Sequence, residues 1–546
     1  DVIRSLKPFL GKGTDIHVGG VARKPVDVVG KFLSFIKKDA LDRNLGPDFD
    51  RAVFTVPVDM DGRARKELRE AALQANIGAY QIVHEPLAAL YGYLRRKDDF
   101  QRSIVDLDRK IVLVFDWGGG TLDLTLCRFI GGAIVQIQNR GDDTVGGDRF
   151  DDRIVNLVKK KHSEIHNITE WPDELPGADA KLNARCEAAK IRLSDQQSQT
   201  ILVKNYLQSE GPEQTLDIDL SRGELKEVTR DIVDSGLKNI DLLLESTGIK
   251  GESIALCVAT GGVTQMPFIR EKLLEKFGVA RVPLVDKSDR VIAEGAAWIA
   301  HDQIELKLSK PFELLNANNS YVTIVKDSDK LPVEGQVLKQ EFSMYCVDPR
   351  DGFAKFQTAR PMWSGQSSQS DARKIYSTLS IKVDSTAEPF RERLNFSVEI
   401  DENLIAKIKA NSSLINDSSE SEIHNLEFGL SLDRYNTNAE LNDDLTNILK
   451  SSGGADEVSL SGGDQHLDGE IILRSNVTVD NDDWHLVPGE IVEKYEPHFL
   501  DSRKCNRSSR QLDEKMYYTP CTLCGRILYD INLNGCDECS RFQHNA

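Results

Sequence analysis

No apolar run in the 546 residues approaches the ~18 consecutive residues that a helical membrane span requires. Basic charge is in short supply too. The 69 Lys and Arg stand against 87 Asp and Glu, a formal net charge of −18, which argues against a partner held through a nucleic-acid backbone. The distribution of the nine cysteines is unlike a disulfide framework, with four clustered near the C-terminus and five scattered. A Gly-x-Ser-x-Gly elbow and a His-Glu-x-x-His metal helix are both missing. The chain opens on Asp1 with no initiator Met, so the lack of a signal peptide carries little weight.

The length accommodates roughly three or four domains on a prior of ~150 residues each. The organising stretch is Ile111 to Leu126. Ile111-Val112-Leu113-Val114-Phe115 is an unbroken apolar run, the pattern of a strand buried on both faces. Asp116, Trp117 and the glycines Gly118, Gly119 and Gly120 follow. After Thr121 the pattern alternates strictly, with Leu122, Leu124 and Leu126 on one side and Asp123 and Thr125 on the other. That predicts a second strand, so the glycines form a hairpin. A P-loop or dinucleotide fingerprint would open a helix there, and a P-loop would end in Gly-Lys-Ser/Thr. A glycine hairpin lets backbone N–H groups curl around a phosphate with no Cβ in the way, and Asp116 at its mouth is placed to hold a metal-bound water.

Before this stretch, residues 1–50 read as short mixed segments, including the basic knot Lys7 to Lys12. Ala52–Pro57 reads as a strand, Arg63–Ala75 as a helix, Tyr80–Val83 as a strand, and Leu87–Leu94 as a short helix after Glu85-Pro86. Beyond it the pattern predicts a strand over Ala133–Gln138 and then Gly146-Gly147 ahead of a helix over Phe150–Lys160. Helices follow at Arg185–Leu193, Met266–Phe277 and Val291–Ala300, with a strand at Ile254–Val258 running into Gly261-Gly262. After residue 300 the texture becomes alternating and strand-like, as in Tyr321–Val325 and Leu394–Ile400, and Ser451–Asp468 is a polar stretch too poor in apolar residues to fold alone.

Near the C-terminus, Cys521-x2-Cys524-x11-Cys536-x2-Cys539 sets two thiolate pairs at the ends of an alternating segment, with Gly525 and Gly535 at the turns. Four thiolates suit a closed tetrahedral Zn²⁺ site of structural or recognition type; two disulfides or a redox pair remain the competing reading. Lys159-Lys160-Lys161 reads as a solvated helix end, His84 as a packing or hydrogen-bonding residue, Trp117 as a space-filler under the hairpin, and Cys127, Cys186 and Cys257 as core.

Six motifs together resemble the Hsp70 chaperone family: HEPLAALYGY, FDWGGGTLDLTL, GDDTVGGDRFDDRIVNLV, CEAAKIRLS, TGGVTQMPFIREKL and DRVIAEGAAW, in that order along the first 300 residues. The resemblance implies an α/β, actin-like two-lobed ATPase fold using ATP/ADP and Mg²⁺. It implies catalytic roles for Lys7, Glu85, Asp116 and Thr121, and a phosphate wrap at Gly118, Gly119 and Gly120. It also implies a nucleotide pocket at Gly146, Gly147, Glu187, Lys190, Ser194, Gly261, Gly262 and Asp289. Pro57 and Arg65 match the pair with which the family relays nucleotide state. Gln265 stands where the family has an adenine-stacking arginine, and Trp117 where it has leucine.

The implied division is a remainder of lobe I over 1–105 and lobe II over 106–302. A β-rich, substrate-domain-like region over 310–435 follows, then a polar linker over 436–515 and a four-cysteine zinc-ribbon-like module over 516–546. Because Lys7 already matches the catalytic lysine, the family's first phosphate loop would lie upstream of Asp1; the expectation is a fragment with impaired ATP binding and turnover. The expected activity is a nucleotide-driven conformational switch or chaperone in the cytoplasm, with protein clients or co-chaperone-like partners, no nucleic acid and no membrane. The alternative is a nucleotide-sensing scaffold with little hydrolysis that presents the zinc module.

Overall fold

The computed structural model describes residues 6–43, 46–130, 132–315, 320–362 and 372–435, with the short stretches 486–488, 519–520 and 527–528. Cys521, Cys524, Cys536 and Cys539 lie outside the described residues. The chain divides into two compact units, one of residues 1–60 and 71–304, the other of residues 61–70 and 305–546. Among the described residues no helix is long and apolar enough to cross a membrane.

In the first unit, the apolar run becomes the strand Ile111–Trp117, which pairs in parallel with Ile254–Thr260 and antiparallel with Leu122–Ile130. Leu122–Ile130 pairs in turn with Ala133–Asp142. The hairpin register sets Asp116 opposite Asp123 and Trp117 opposite Leu122. Leu113, Phe115, Leu122, Leu124 and Leu126 are fully buried, and they pack into a core with Phe150, Ile154 and Val158 of the helix Gly147–His166. The helices Ala178–Arg192, Arg230–Thr247 and Pro267–Phe277 line the same core. Burial on both sides is what an apolar run of this kind requires, since an exposed face would put Val and Phe in water.

A second, parallel pair joins Arg51–Val56 to Gly78–His84. The helix Glu85–Arg95 follows directly, with Pro86 in its first turn, where a missing N–H costs nothing. It crosses the helix Val291–His301 closely enough that a Cβ on Gly295 would collide with the Ala88 carbonyl. One element departs from the sequence reading: Pro25–Asp42 is a single 18-residue helix within the segment read as short and mixed. Its core-facing side is narrow, with Pro25, Val29 and Gly30 buried, while Phe32, Phe35 and Ile36 are exposed. The apolar residues Pro25, Val29, Phe32 and Ile36 recur at helical spacing, so the signal is present in the sequence and the reading passed over it.

The second unit contains two antiparallel sheets. One runs Tyr321–Val325, Phe312–Leu315, Phe353–Pro361, Arg373–Lys382; the other runs Ser418–Ile423, Ala406–Ser412, Arg393–Ile400, Leu338–Cys346, Leu486–Pro488. Phe356 of the first sheet meets Phe396 of the second edge to face, with ring centroids 5.0 Å apart. Leu486–Pro488 falls inside the segment read as polar linker, and its three residues were too few to register as a strand. Charge is buried here in pairs, as burial demands: Arg373 with Glu313 at 2.6 Å, and Lys310 and Arg360 together on Glu427.

Within this unit Arg65 donates to the backbone oxygens of Asn403 (2.8 Å), Leu404 (3.2 Å) and His424 (3.0 Å). Arg69 donates to the Asn403 side chain at 3.0 Å and to the Glu402 carbonyl at 2.9 Å. A short strand pair, Thr519–Pro520 with Ile527–Leu528, is antiparallel.

Candidate phosphate-binding site

Three stretches of the first unit press together around the glycine hairpin. The Gly118 amide donates to Thr121 O at 2.9 Å and closes the turn. The Gly118 and Gly119 carbonyls accept from the Gly147 and Asp148 amides at 3.0 and 2.7 Å, so the hairpin is held by the N-terminus of the helix Gly147–His166. The Gly119 and Gly120 amides have no acceptor among the described residues, and both residues are exposed. On the other flank, Gly261 has φ +85° and a Cβ there would run into the Trp117 carbonyl and lie 2.7 Å from Asp116 Oδ1. Both the space and the backbone angle require glycine at that position. A Cβ on Gly146 would likewise enter the Gly120 backbone.

The charged groups gather at the mouth of this hairpin. Lys7, in the short turn Lys7–Phe9, is ion-paired through Nζ with Glu85 at the start of its helix. The Lys7 side chain is 55% exposed and that of Glu85 13%, so the ammonium is open to solvent while the carboxylate is set back. His84, the residue before Glu85, is buried and hydrogen-bonds through Nδ1 with Gln136 Oε1 at 2.9 Å, which fixes the end of the strand. Asp116 is buried. Burial pushes its carboxyl up to about 7, with the negative charges of Glu85 and Asp123 adding to the rise and Lys7 offsetting part of it. Burial also lifts Asp123 to about 6, although the Thr121 hydroxyl donates to it at 2.7 Å.

Lys190 reaches the same frame from the helix Ala178–Arg192. Its Nζ donates to Gly147 O at 2.9 Å and to Asp151 Oδ2 at 2.7 Å. Glu187 is exposed on that helix; burial raises the Asp151 carboxyl against the pull of Lys190, and the Glu187 charge adds a smaller rise. Ser194 is spent on backbone contacts, its amide on Ile191 O and its carbonyl accepting from Arg222. Asp289 is exposed and lies 3.8 Å from Arg290, while its neighbour Ser288 donates to Gly261 O at 3.1 Å. Gly262 opens a short turn with nothing within 4 Å of where its Cβ would be. Lys7, Glu85, Asp116, the hairpin glycines, Thr121, Gly146, Gly147, Gly261 and Lys190 are thus linked by contact or close approach. Glu187, Ser194, Gly262 and Asp289 lie on the flanking elements, without a direct bond to that group.

Asp123 is the member that sequence reasoning passed over. It lies directly opposite Asp116 across the hairpin, but an acid on the polar side of an alternating strand reads as a surface residue. The available signal was symmetry: two acids equidistant from the turn centre must face each other in an antiparallel pair. Among the described residues no group of three or more His, Cys, Asp or Glu is arranged as a ready metal cage. The donor set nevertheless fits a magnesium ion that keeps its waters and takes few protein ligands. Its oxygens are hard, and three mutually repelling carboxylates face one ammonium, leaving a deficit of positive charge.

Comparisons with known proteins converge on one group. The chain is 31% identical over 298 residues to the chaperone protein DnaK of Thermosipho melanesiensis, covering 54% of this chain and 48% of that one. It is 30% identical over 302 residues to the DnaK of Mycoplasmopsis agalactiae, again covering 54% and 48%. The DnaK of Metamycoplasma hominis is 27% identical over 297 residues. The chain therefore spans about half the length of the curated relatives it matches. A family profile described as Hsp70 protein aligns with residues 11–321, more than half of the chain and all of the elements just described from Ile111 to Asp289, and on that match the chain belongs to the Hsp70 family.

Proposed function

We propose that the first unit binds and hydrolyses ATP with Mg²⁺, and that the chain works as an Hsp70-like nucleotide-driven switch or chaperone acting on protein clients. The observation that carries this reading is the convergence of Lys7, Glu85 and Asp116 on a glycine hairpin whose exposed amides have no other acceptor among the described residues. Phosphoryl transfer needs positioning and charge neutralisation more than covalent chemistry, and these groups supply both. In this reading the Gly118–Gly120 hairpin, Gly146 and Gly147 hold the phosphates, and Lys7 places positive charge at the terminal one. Glu85 orients the attacking water. Asp116, Thr121 and Asp123 hold the ion and its waters, and magnesium, when bound, neutralises the developing phosphate charge. Glu187, Lys190, Ser194, Gly261, Gly262 and Asp289 would surround the nucleoside.

The sequence-level division into lobes at 1–105 and 106–302 belongs to the same proposal. So do the linker over 436–515, a cytoplasmic location and a zinc ion on Cys521, Cys524, Cys536 and Cys539. The test is steady-state ATP hydrolysis by the whole chain. Lys7→Ala and Glu85→Gln should each lower kcat by roughly 100-fold, in the range of a lost acid–base or positioning group. Hydrolysis equal to wild type in both variants would dismiss the assignment.

The alternative reading is a nucleotide-sensing scaffold with little turnover that presents the zinc module. Gln265, exposed at the end of the short turn Gly262–Gln265, offers no cation to stack on a base, which weakens the base clamp under either reading. Under the scaffold reading nucleotide binds, but kcat is near zero and is unaffected by Glu85→Ala.

A further inference from the structure

Trp117 is the last residue before the glycines, and it is fully buried. Its indole Nε1 donates to Val145 O at 2.7 Å, and Val145 is the residue before Gly146-Gly147. One side chain therefore ties the start of the hairpin to the start of the segment that caps it. The ring is wedged edge to face between Phe115 (centroids 5.7 Å apart) and Phe150 (5.9 Å). The outer rim of the indole rests on Gly236, in the middle of the helix Arg230–Thr247. A Cβ on Gly236 would clash with Cη2 and lie 2.7 Å from Cζ2 and 3.1 Å from Cζ3. A glycine inside a helix is unfavourable by about 1 kcal/mol against alanine, so the position is explained by the ring it admits.

The same helix grips the capping segment a second time. Asn239 donates to Asp142 Oδ2 at 2.7 Å, and Asp142 Oδ1 accepts from the Thr144 amide at 2.9 Å and from its hydroxyl at 2.6 Å. The helix Arg230–Thr247 thus holds the hairpin through Trp117 and the 142–147 segment through Asn239.

We propose that Trp117, seated on Gly236 and bonded to Val145, is a positioning residue for polyphosphate. It fixes the hairpin against the Gly146-Gly147 segment so that the exposed amides face one ligand. This rests on the nucleotide reading above and adds a residue and a contact that the family match does not supply, since both are particular to the tryptophan. Trp117→Phe keeps an aromatic ring but removes the bond to Val145 O and the rim atoms over residue 236. Gly236→Ala displaces the rim. Both act on one indole, so their effects should not add.

The experiment is calorimetric titration of the whole chain with Mg-ADP and, separately, with adenosine, alongside thermal unfolding. Trp117→Phe and Gly236→Ala should each raise the Kd for Mg-ADP about tenfold, equivalent to about 1.4 kcal/mol. The Kd for adenosine, which has no phosphate to place, should stay within about twofold. Trp117→Phe with Gly236→Ala should bind Mg-ADP no more weakly than Gly236→Ala alone. A merely structural tryptophan would lower the melting temperature and leave the ratio of the two affinities unchanged, and that result overturns the proposal. So does an additive loss in the double variant. If Gly236→Ala does not fold, the affinity ratio of Trp117→Phe decides alone. A wild-type chain that binds adenosine but not Mg-ADP sinks the phosphate reading of the hairpin itself.

Discussion

Asp116 carries the sharpest consequence at the scale of single residues. Burial holds its carboxyl near 7 in the folded chain, whereas in the unfolded chain it titrates near 4. Between those values the folded state holds a proton that the unfolded state has lost. Stability therefore falls as pH rises through this window and levels off above the folded value. Asp116→Asn removes that penalty, so the ligand-free variant should be more stable than wild type at pH 8, by at most about 4 kcal/mol. The advantage should vanish near pH 4. Chemical denaturation at the two pH values checks both the sign and the crossover.

The hairpin, Asp116 and the buried identity of Trp117 were legible because the hydrophobic period changes at Gly118–Gly120, and a change of period is a local signal. Asp123 was not legible. Its place opposite Asp116 comes from the pairing of the strands, and a strand's polar face looks the same whether it meets water or another carboxylate.

Among elements, the strands on either side of the hairpin and the helix after Glu85-Pro86 were readable from run length, alternation and the placement of proline. The helix Pro25–Asp42 was passed over although Pro25, Val29, Phe32 and Ile36 carry the helical spacing that marks it. The crossing of Glu85–Arg95 with Val291–His301 was hidden, since it depends on Gly92 and Gly295, which are far apart in the sequence. Gly295→Ala would drive a methyl group into the Ala88 carbonyl and force the helices apart. A loss of roughly 2–3 kcal/mol, in the range of overpacked cores, is expected in thermal or denaturant unfolding. An unchanged melting temperature would mean that the crossing is looser than described.

For the molecule as a whole, sequence proximity misleads most. Residues 61–70 are grouped with residues 305–546, and the bond from Arg65 to Asn403 O spans 338 positions. No pattern within a window of the sequence carries that information. Arg65 is almost fully buried, its guanidinium is pulled down to about 10 by that burial, and it satisfies three backbone oxygens at once. Arg65→Ala strands those oxygens and should destabilise the second unit by about 3 kcal/mol. A lysine in its place, with a compact ammonium instead of a planar fork, should recover less than half of that. Separate unfolding transitions in calorimetry would show which unit is affected.

The composition points the same way at this scale. A net charge of −18 with carboxylates clustered at the hairpin suits a metal-bound nucleotide better than a bare polyanion, which the surrounding field would repel. Magnesium dependence is therefore the property that separates a nucleotide site of this design from incidental anion binding.

The most direct measurement is the Kd of the whole chain for ADP by calorimetry, with millimolar magnesium and then with excess chelator, in wild type and in Asp116→Asn. The account predicts binding in magnesium that weakens at least tenfold on chelation, and an Asp116→Asn variant that no longer distinguishes the two conditions. Binding of equal strength with and without magnesium, or unaltered magnesium dependence in Asp116→Asn, would contradict it.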